Sequence, residues 1–185
     1  TTAHANKPSI QALLINLDIA NSSYEKMASF ITQTNPDILI LEEFDGKWKS
    51  KLENTLEGFP HSVVSPWKNG WSIGLFSRLP LKNAKLGQLG ESPIPYAIAE
   101  VEWQEKLYNI IGVHLQDPIT DIRADVRNRQ LSSLTKIVKG LKLPTILLGD
   151  LNITPWSPYF QLFIKNTGLR ESRLGLGLFP TWPTN

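Results

Sequence analysis

Five polar side chains stand where apolar runs stop. Asn16 follows Ile10 to Ile15, Glu43 ends Asp37-Ile38-Leu39-Ile40-Leu41-Glu42, His114 follows Ile110-Ile111-Gly112-Val113, and Asp150 and Asn152 follow Thr145-Ile146-Leu147-Leu148-Gly149. In an extended chain side chains alternate, so Asp150 and Asn152 are expected on one face, with Leu151 pointing back to the core. Gly149 ahead of them permits an unusual backbone angle or the close approach of another group. As a set these residues could hydrolyse a phosphoester. Glu43 supplies a carboxylate for a hard divalent cation, and Asp150 one to take a proton from water. Asn16, Asn152 and His114 supply donors for phosphate oxygens. No covalent nucleophile with a paired base stands out, so water is the simpler attacking group. Singly, each residue has a plainer use: Asn16 in a turn, His114 as a hydrogen-bonded structural histidine, Asp150 and Asn152 as caps of the turn that Pro155 continues.

The elements that must position these groups are legible from periodicity. A strand over Ile10 to Asn16 is followed by Ser22 and Glu25 at capping-box spacing, then by Tyr24, Met27, Ala28 and Ile31 on one helical face, with Asn35-Pro36 as the stop. The strand from Asp37 to Phe44 is apolar on both faces until its acidic end, and Trp48, Leu52 and Leu56 form the inner face of the next helix. Strands are predicted at Ser62 to Val64 and Trp71 to Phe76, then at Tyr96 to Trp103 paired with Lys106 to Leu115 across a tight Gln104-Glu105 turn. A helix from about Ile122 to Leu141 carries Val126, Leu134, Ile137, Val138 and Leu141 toward the core, and Phe160, Leu162 and Phe163 mark a short helix after Pro158. Strand to Asn16, helix, strand to Glu43 is echoed by strand to His114, helix, strand to Asp150. Two similar halves with their sheets face to face would bring the four polar strand ends to one rim.

Composition bounds the rest. A chain of 185 residues with 41% hydrophobic and 19% charged residues reads as one ordinary globular domain. The absence of cysteine excludes disulfides, thiol catalysis and thiolate metal sites. A formal charge of +2, with small clusters at Lys47-Lys49-Lys51 and Lys82-Lys85, is too weak to argue for a nucleic-acid partner by itself. No apolar run is long enough to span a bilayer, and Thr1 to Ser9 lacks a signal-peptide core. The expectation is a soluble domain, cut from a longer protein that could be a membrane-anchored bacterial one.

The motifs Ile15-Asn16, Pro36-Asp37-Ile38-Leu39-Ile40-Leu41-Glu42-Glu43, Gly70-Trp71-Ser72-Ile73-Gly74-Leu75-Phe76-Ser77-Arg78, Gly112-Val113-His114-Leu115 and Gly149-Asp150-Leu151-Asn152 occur in one order along the chain. In that order the sequence resembles the endonuclease/exonuclease/phosphatase (DNase I-like) superfamily. It looks closest to a bacterial branch with Trp-Ser-Pro after the Gly-Asp-Leu-Asn motif, here Trp156-Ser157-Pro158, and Thr-Trp-Pro near the end, here Thr181-Trp182-Pro183. The resemblance implies a four-layer α-β-β-α sandwich with two mixed sheets packed face to face, and hydrolysis of phosphodiesters or phosphomonoesters with Mg2+, or Mn2+ in its place. It assigns Glu43 to the metal, with Glu42 in a place usually held by glutamine, and Asn16 beside the metal. By the same match His114 contacts phosphate, Asp150 activates water, Asn152 stabilises the transition state, and Arg127 with Gln130 gives structural support.

One motif of the family has no counterpart: no histidine follows Asp150, where a Ser-Asp-His-like strand is expected. The reading adopted is a single domain over residues 1–185 that lacks its last strands; the alternative is a catalytically incomplete phosphate-binding module of the same fold. Trp71 and Asn69, in the segment Trp67-Lys68-Asn69-Gly70-Trp71, are expected at the rim, where the tryptophans could stack on bases or meet a lipid head region. A core place for Trp71 and a surface-anchor place for Trp67 fit equally well. DNA, RNA, phosphoinositide and sphingolipid all remain open as the phosphodiester.

Overall fold

Along β2 (Ile38–Glu42) the side chains alternate between two covered faces: Leu39 and Leu41 meet helices, Ile38 and Ile40 meet another sheet. That is the outcome expected for a strand apolar on both sides. A computed structural model of the chain describes residues 9–66 and 71–172. Before β2 come β1 (Ala12–Asn16) and α1 (Tyr24–Thr34); after it come α2 (Gly46–Leu56), β3 (His61–Val64), β4 (Ile73–Ser77) and β5 (Leu81–Gln88). The chain continues through β6 (Pro95–Trp103), β7 (Lys106–His114), α3 (Asp121–Gly140), β8 (Thr145–Asp150) and α4 (Pro158–Thr167).

Two four-stranded sheets result, ordered β1-β2-β4-β3 and β5-β6-β7-β8. The pairs β1/β2 and β7/β8 are parallel, each joined through a helix, and the other neighbours are antiparallel. Three apolar layers follow from this. Ile31, Trp48 and Leu52 of α1 and α2 cover Leu39, Leu41 and Phe76; Leu131, Leu134, Val138 and Phe163 of α3 and α4 cover Ile98, Ile111 and Val113. Between the sheets, Ile38, Ile40, Ile73 and Leu75 face Ala97, Ala99, Val101 and Ile110. The architecture is the four-layer α/β sandwich. Small residues let the sheets approach: a Cβ on Gly112 would lie 3.0 Å from Ile40 Cδ1 and 3.2 Å from Ile73 Cδ1.

Local signals act as read, with exceptions. Asn35 ends α1 in the left-handed region at φ 50°, ahead of Pro36. Gln104 and Glu105 both have positive φ (49° and 62°), as the tight β6–β7 turn requires. The expected capping box does not form: the N-cap of α1 is Ser23, with no side-chain cap, and the Asn21 side chain accepts the Ser23 N–H instead. β5 was not expected. It is an edge strand whose central residues are exposed, with a bulge between Lys82 and Lys85, so its lysines read as a surface charge cluster. In α3, Val126 is only half-buried while Arg127, Gln130 and Leu131 are buried, and Leu162 of α4 is exposed.

Candidate active site

Side-chain parity builds the site. On β1, β2, β7 and β8 the residues facing the other sheet include Leu14, Ile40, Ile110 and Leu148, and two-residue steps from these reach Asn16, Glu42, His114 and Asp150, the last residue of each strand. Asn16 pairs in register with Glu42, and His114 with Asp150. Four polar side chains from two sheets thus close one end of the apolar layer. Gly149 is needed there, because a Cβ would stand 1.9 Å from the Val113 carbonyl oxygen of the neighbouring strand.

The two glutamates differ. Glu42 is fully buried; its Oε1 accepts the Asp150 N–H at 2.8 Å across the sheets, and its Oε2 has no partner among the described residues. Burial pushes the Glu42 carboxyl well above its ordinary value of 4.5; the Asp150 N–H opposes this, and the charges of Asp150 and Glu43 add to it. Glu43 breaks the alternation. At φ 53° it turns the chain into the left-handed region, a strained conformation for a non-glycine residue. Its carboxylate is then fixed by Asn16 Nδ2, which donates to Oε1 at 3.0 Å, and by the Ile19 N–H, which donates to Oε2 at 3.2 Å. Asn16 Oδ1 accepts the Asp18 N–H at 3.0 Å, so in this arrangement Asn16 holds Glu43 in place.

On the second sheet His114 is buried, its Nδ1 has no partner among the described residues, and Trp71 packs on its ring at a centroid distance of 4.8 Å. Burial pushes the His114 pKa down; Asp150, Glu43 and Asp117 pull the other way. β8 ends at Asp150, so Asn152 comes to the same cavity by a turn and not by strand alternation. Asn152 has φ 49°, its N–H donates to Asp150 Oδ1 at 2.8 Å, and its Nδ2 donates to the Leu115 carbonyl at 2.7 Å. α3 braces both turns from behind. Arg127 donates to the Asn152 carbonyl, while Gln130 Oε1 accepts the Gln116 N–H at 2.8 Å and Gln130 Nε2 donates to Ser92 Oγ at 2.9 Å.

Asn16, Glu43, Trp71, His114, Asp150 and Asn152 line one cavity of about 280 Å³. Asn69 lies outside the described residues. The cavity also takes in Ile19, Asp117, Ile119 and Arg123, which the sequence did not flag; Asp117 and Arg123 form an ion pair. They sit on irregular connections or at a helix start, where no periodicity points inward. A larger cavity of about 630 Å³ lies between α2 and the β3–β4 pair, lined by Phe44, Leu56, Phe59 and Phe76 together with Lys49 and Glu53, away from the strand ends that carry the residues above.

The donor set fits a hard cation of the Mg2+ type. Among the described residues no group of three or more His, Asp or Glu side chains is arranged to hold a metal. The Glu43 carboxylate with the Asn16 amide beside it at one cavity, leaving other positions for water and phosphate oxygens, matches how Mg2+ is usually held.

The fold is similar to that of a beta hairpin deletion mutant of beta toxin from Staphylococcus aureus, with a TM-score of 0.67 and 20% identity over 88% of this chain and 74% of that chain. Humanized D. rerio TDP2 gives a TM-score of 0.70 at 15% identity over 88% and 72% of the two chains. A beta toxin variant from Staphylococcus aureus with bound magnesium ions gives 0.67 at 20% identity over 89% and 72%. At such identities the likeness is one of fold. No curated protein sequence is significantly similar to this one. Among the described residues no helix is long and apolar enough to cross a membrane. The sequence profile of the Endonuclease/Exonuclease/phosphatase family matches residues 13–185, and the chain belongs to that family.

Proposed function

We propose that this chain hydrolyses a phosphodiester by direct attack of water, with a divalent cation held at the rim between the sheets. Members of its family are hydrolases that act on phosphodiesters. The observation that supports the reading here is the meeting of Glu43 from one sheet and Asp150 from the other at a single cavity with His114 and Asn152.

Glu43 would hold Mg2+, or Mn2+ in its place, with Asn16 orienting the carboxylate and keeping an amide oxygen nearby. When bound, the ion neutralises charge on the phosphate. Asp150 accepts the proton of the attacking water; Oδ1 is fixed by the Asn152 N–H, so the carboxylate is already oriented. A neutral His114 donates one N–H to a phosphate oxygen, and Trp71 keeps the imidazole ring in position. Asn152 commits one amide hydrogen to Leu115, and its second serves the developing charge on phosphate.

Hydrolysis of bis(4-nitrophenyl) phosphate with Mg2+ tests the assignment. Chelation should abolish turnover, and Glu43→Gln and Asp150→Asn should each lower kcat by about 100-fold or more, the loss typical of a removed transition-state contact. Turnover that persists in both variants rejects the reading.

A further inference from the structure

Arg123 is the only lysine or arginine among the described residues that line the cavity shared by Glu43, His114, Asp150 and Asn152. It is the third residue of α3, an unfavourable place for a cation because the free N–H groups at a helix start are already positive. Its ion pair with Asp117 is part-exposed, 41% on the arginine side and 18% on the aspartate side, and exposed pairs stabilise a fold little. Yet the pair is held from within. Buried Gln130 accepts the Gln116 N–H at 2.8 Å, Gln116 Nε2 donates to Asp117 Oδ2 at 3.2 Å, and the Ile119 N–H donates to Asp117 Oδ1 at 3.3 Å. Asp117 Oδ2 in turn accepts from Arg123 Nη2. Contacts that start in the interior thus fix where one guanidinium stands at the cavity.

The pair leaves donors unused. A guanidinium carries five N–H groups in one plane, and among the described residues Asp117 is the one acceptor that meets it, at Nη2. The remaining donors form a fork of the kind that receives phosphate oxygens. Charge points the same way. Glu43, Asp117 and Asp150 line the cavity; a divalent cation would balance two of these carboxylates, and Arg123 balances Asp117. The Asp117 charge also acts on the imidazole of His114, so the pair lies near that ring. Among the described lining residues, the permanent positive charge on that side is that of Arg123.

We infer that Arg123 binds a non-bridging oxygen of the substrate's phosphate, and that Asp117 is its positioning residue. This role rests on the cavity being a phosphodiester site, as proposed above, and gives the phosphate an anchor on the α3 side, opposite the sheet that carries Glu43. As water attacks, negative charge grows on the non-bridging oxygens, and a guanidinium fixed beforehand meets it without reorganising.

A double-mutant cycle with bis(4-nitrophenyl) phosphate and Mg2+ separates contact from charge masking. Arg123→Gln should lower kcat/KM by at least about tenfold, the loss expected for a hydrogen bond to a charged group. Asp117→Asn should lower it in the parent and not in the Arg123→Gln background, because Asp117 acts through the arginine. The double variant should stay at least about tenfold below the parent. Recovery to the parent's value would show that Arg123 only masks Asp117, and a further fall would give Asp117 a role of its own; either overturns the proposal. Thermal transitions should match throughout, since the pair is part-exposed. Calorimetric titration of inorganic phosphate with Mg2+ present involves no turnover, and Kd should weaken by about tenfold or more in the double variant. A parent chain that does not bind phosphate, or a double variant that binds it equally well, overturns the proposal. If the chain does not hydrolyse the diester, the phosphate titration still decides the role of Arg123. If Arg123→Gln turns over as the parent does, hydrolysis stands and that role falls.

Discussion

Glu42 and Glu43 are neighbours of one residue type, and no pattern of hydropathy tells them apart. The resemblance to the family separated them, and the physical difference is conformational: Glu42 continues the strand into the interior, whereas Glu43 leaves it through a left-handed turn. The cost falls on Glu42, a buried carboxyl with one oxygen unpartnered among the described residues. Its pKa is raised on folding, so above the ordinary 4.5 the native state binds more protons than the unfolded state. Stability is therefore expected to fall as pH rises from 4.5 through the raised value. Glu42→Gln removes the titrating group and keeps an oxygen for the Asp150 N–H, but its amide hydrogens then need an acceptor. In chelator at about pH 8 a net gain of the order of 1 kcal/mol is expected, or about 2–4 °C in Tm. Thermal melts from about pH 5 to about pH 8 check it: a variant that loses stability with rising pH as steeply as the parent would contradict the argument.

At the scale of elements, the repeated strand-helix-strand unit was legible because each copy pairs a buried strand, β2 or β7, in parallel with an apolar edge strand through an amphipathic helix. What escaped was governed by exposure and not by pattern. β5 is a polar edge strand, and the apolar stripe read on α3 gave no sign that Arg127 and Gln130 are buried, their supporting role having come from the family resemblance. Those two side chains fix the turns after β8 and β7, so the helix positions the site as well as covering the sheet. Arg127→Lys removes the guanidinium from the Asn152 carbonyl; kcat is expected to fall about tenfold with KM little changed, the pattern of an interaction made mainly in the transition state. An equal kcat would show the brace to be dispensable. Gly149→Ala forces a methyl onto the Val113 carbonyl, one pair before the His114–Asp150 end of the β7–β8 ladder, and a loss of about 2–4 kcal/mol is expected in denaturant unfolding.

Over the whole molecule, the two sheets touch through hydrocarbon and meet at the rim through Glu42, which reaches the Asp150 backbone. A cation held near Glu43 and Asp150 would bridge them, so Mg2+ is expected to raise Tm relative to chelator. At a hundred times Kd the stabilisation amounts to about 2.7 kcal/mol, and Glu43→Gln should abolish it. A Tm indifferent to Mg2+ in the parent chain would exclude such a bridge. With such a bridge, the separation of the two carboxylates would depend on the thickness of the apolar layer beneath them. Gly112, pressed against Ile40 and Ile73, is a thin spot in that layer. A methyl group there, as in Gly112→Ala, would act as a shim that pries the rim wider, and the ion of best fit should move from Mg2+ toward the larger Ca2+. Ion choice would then be gauged by a residue that never meets the ion.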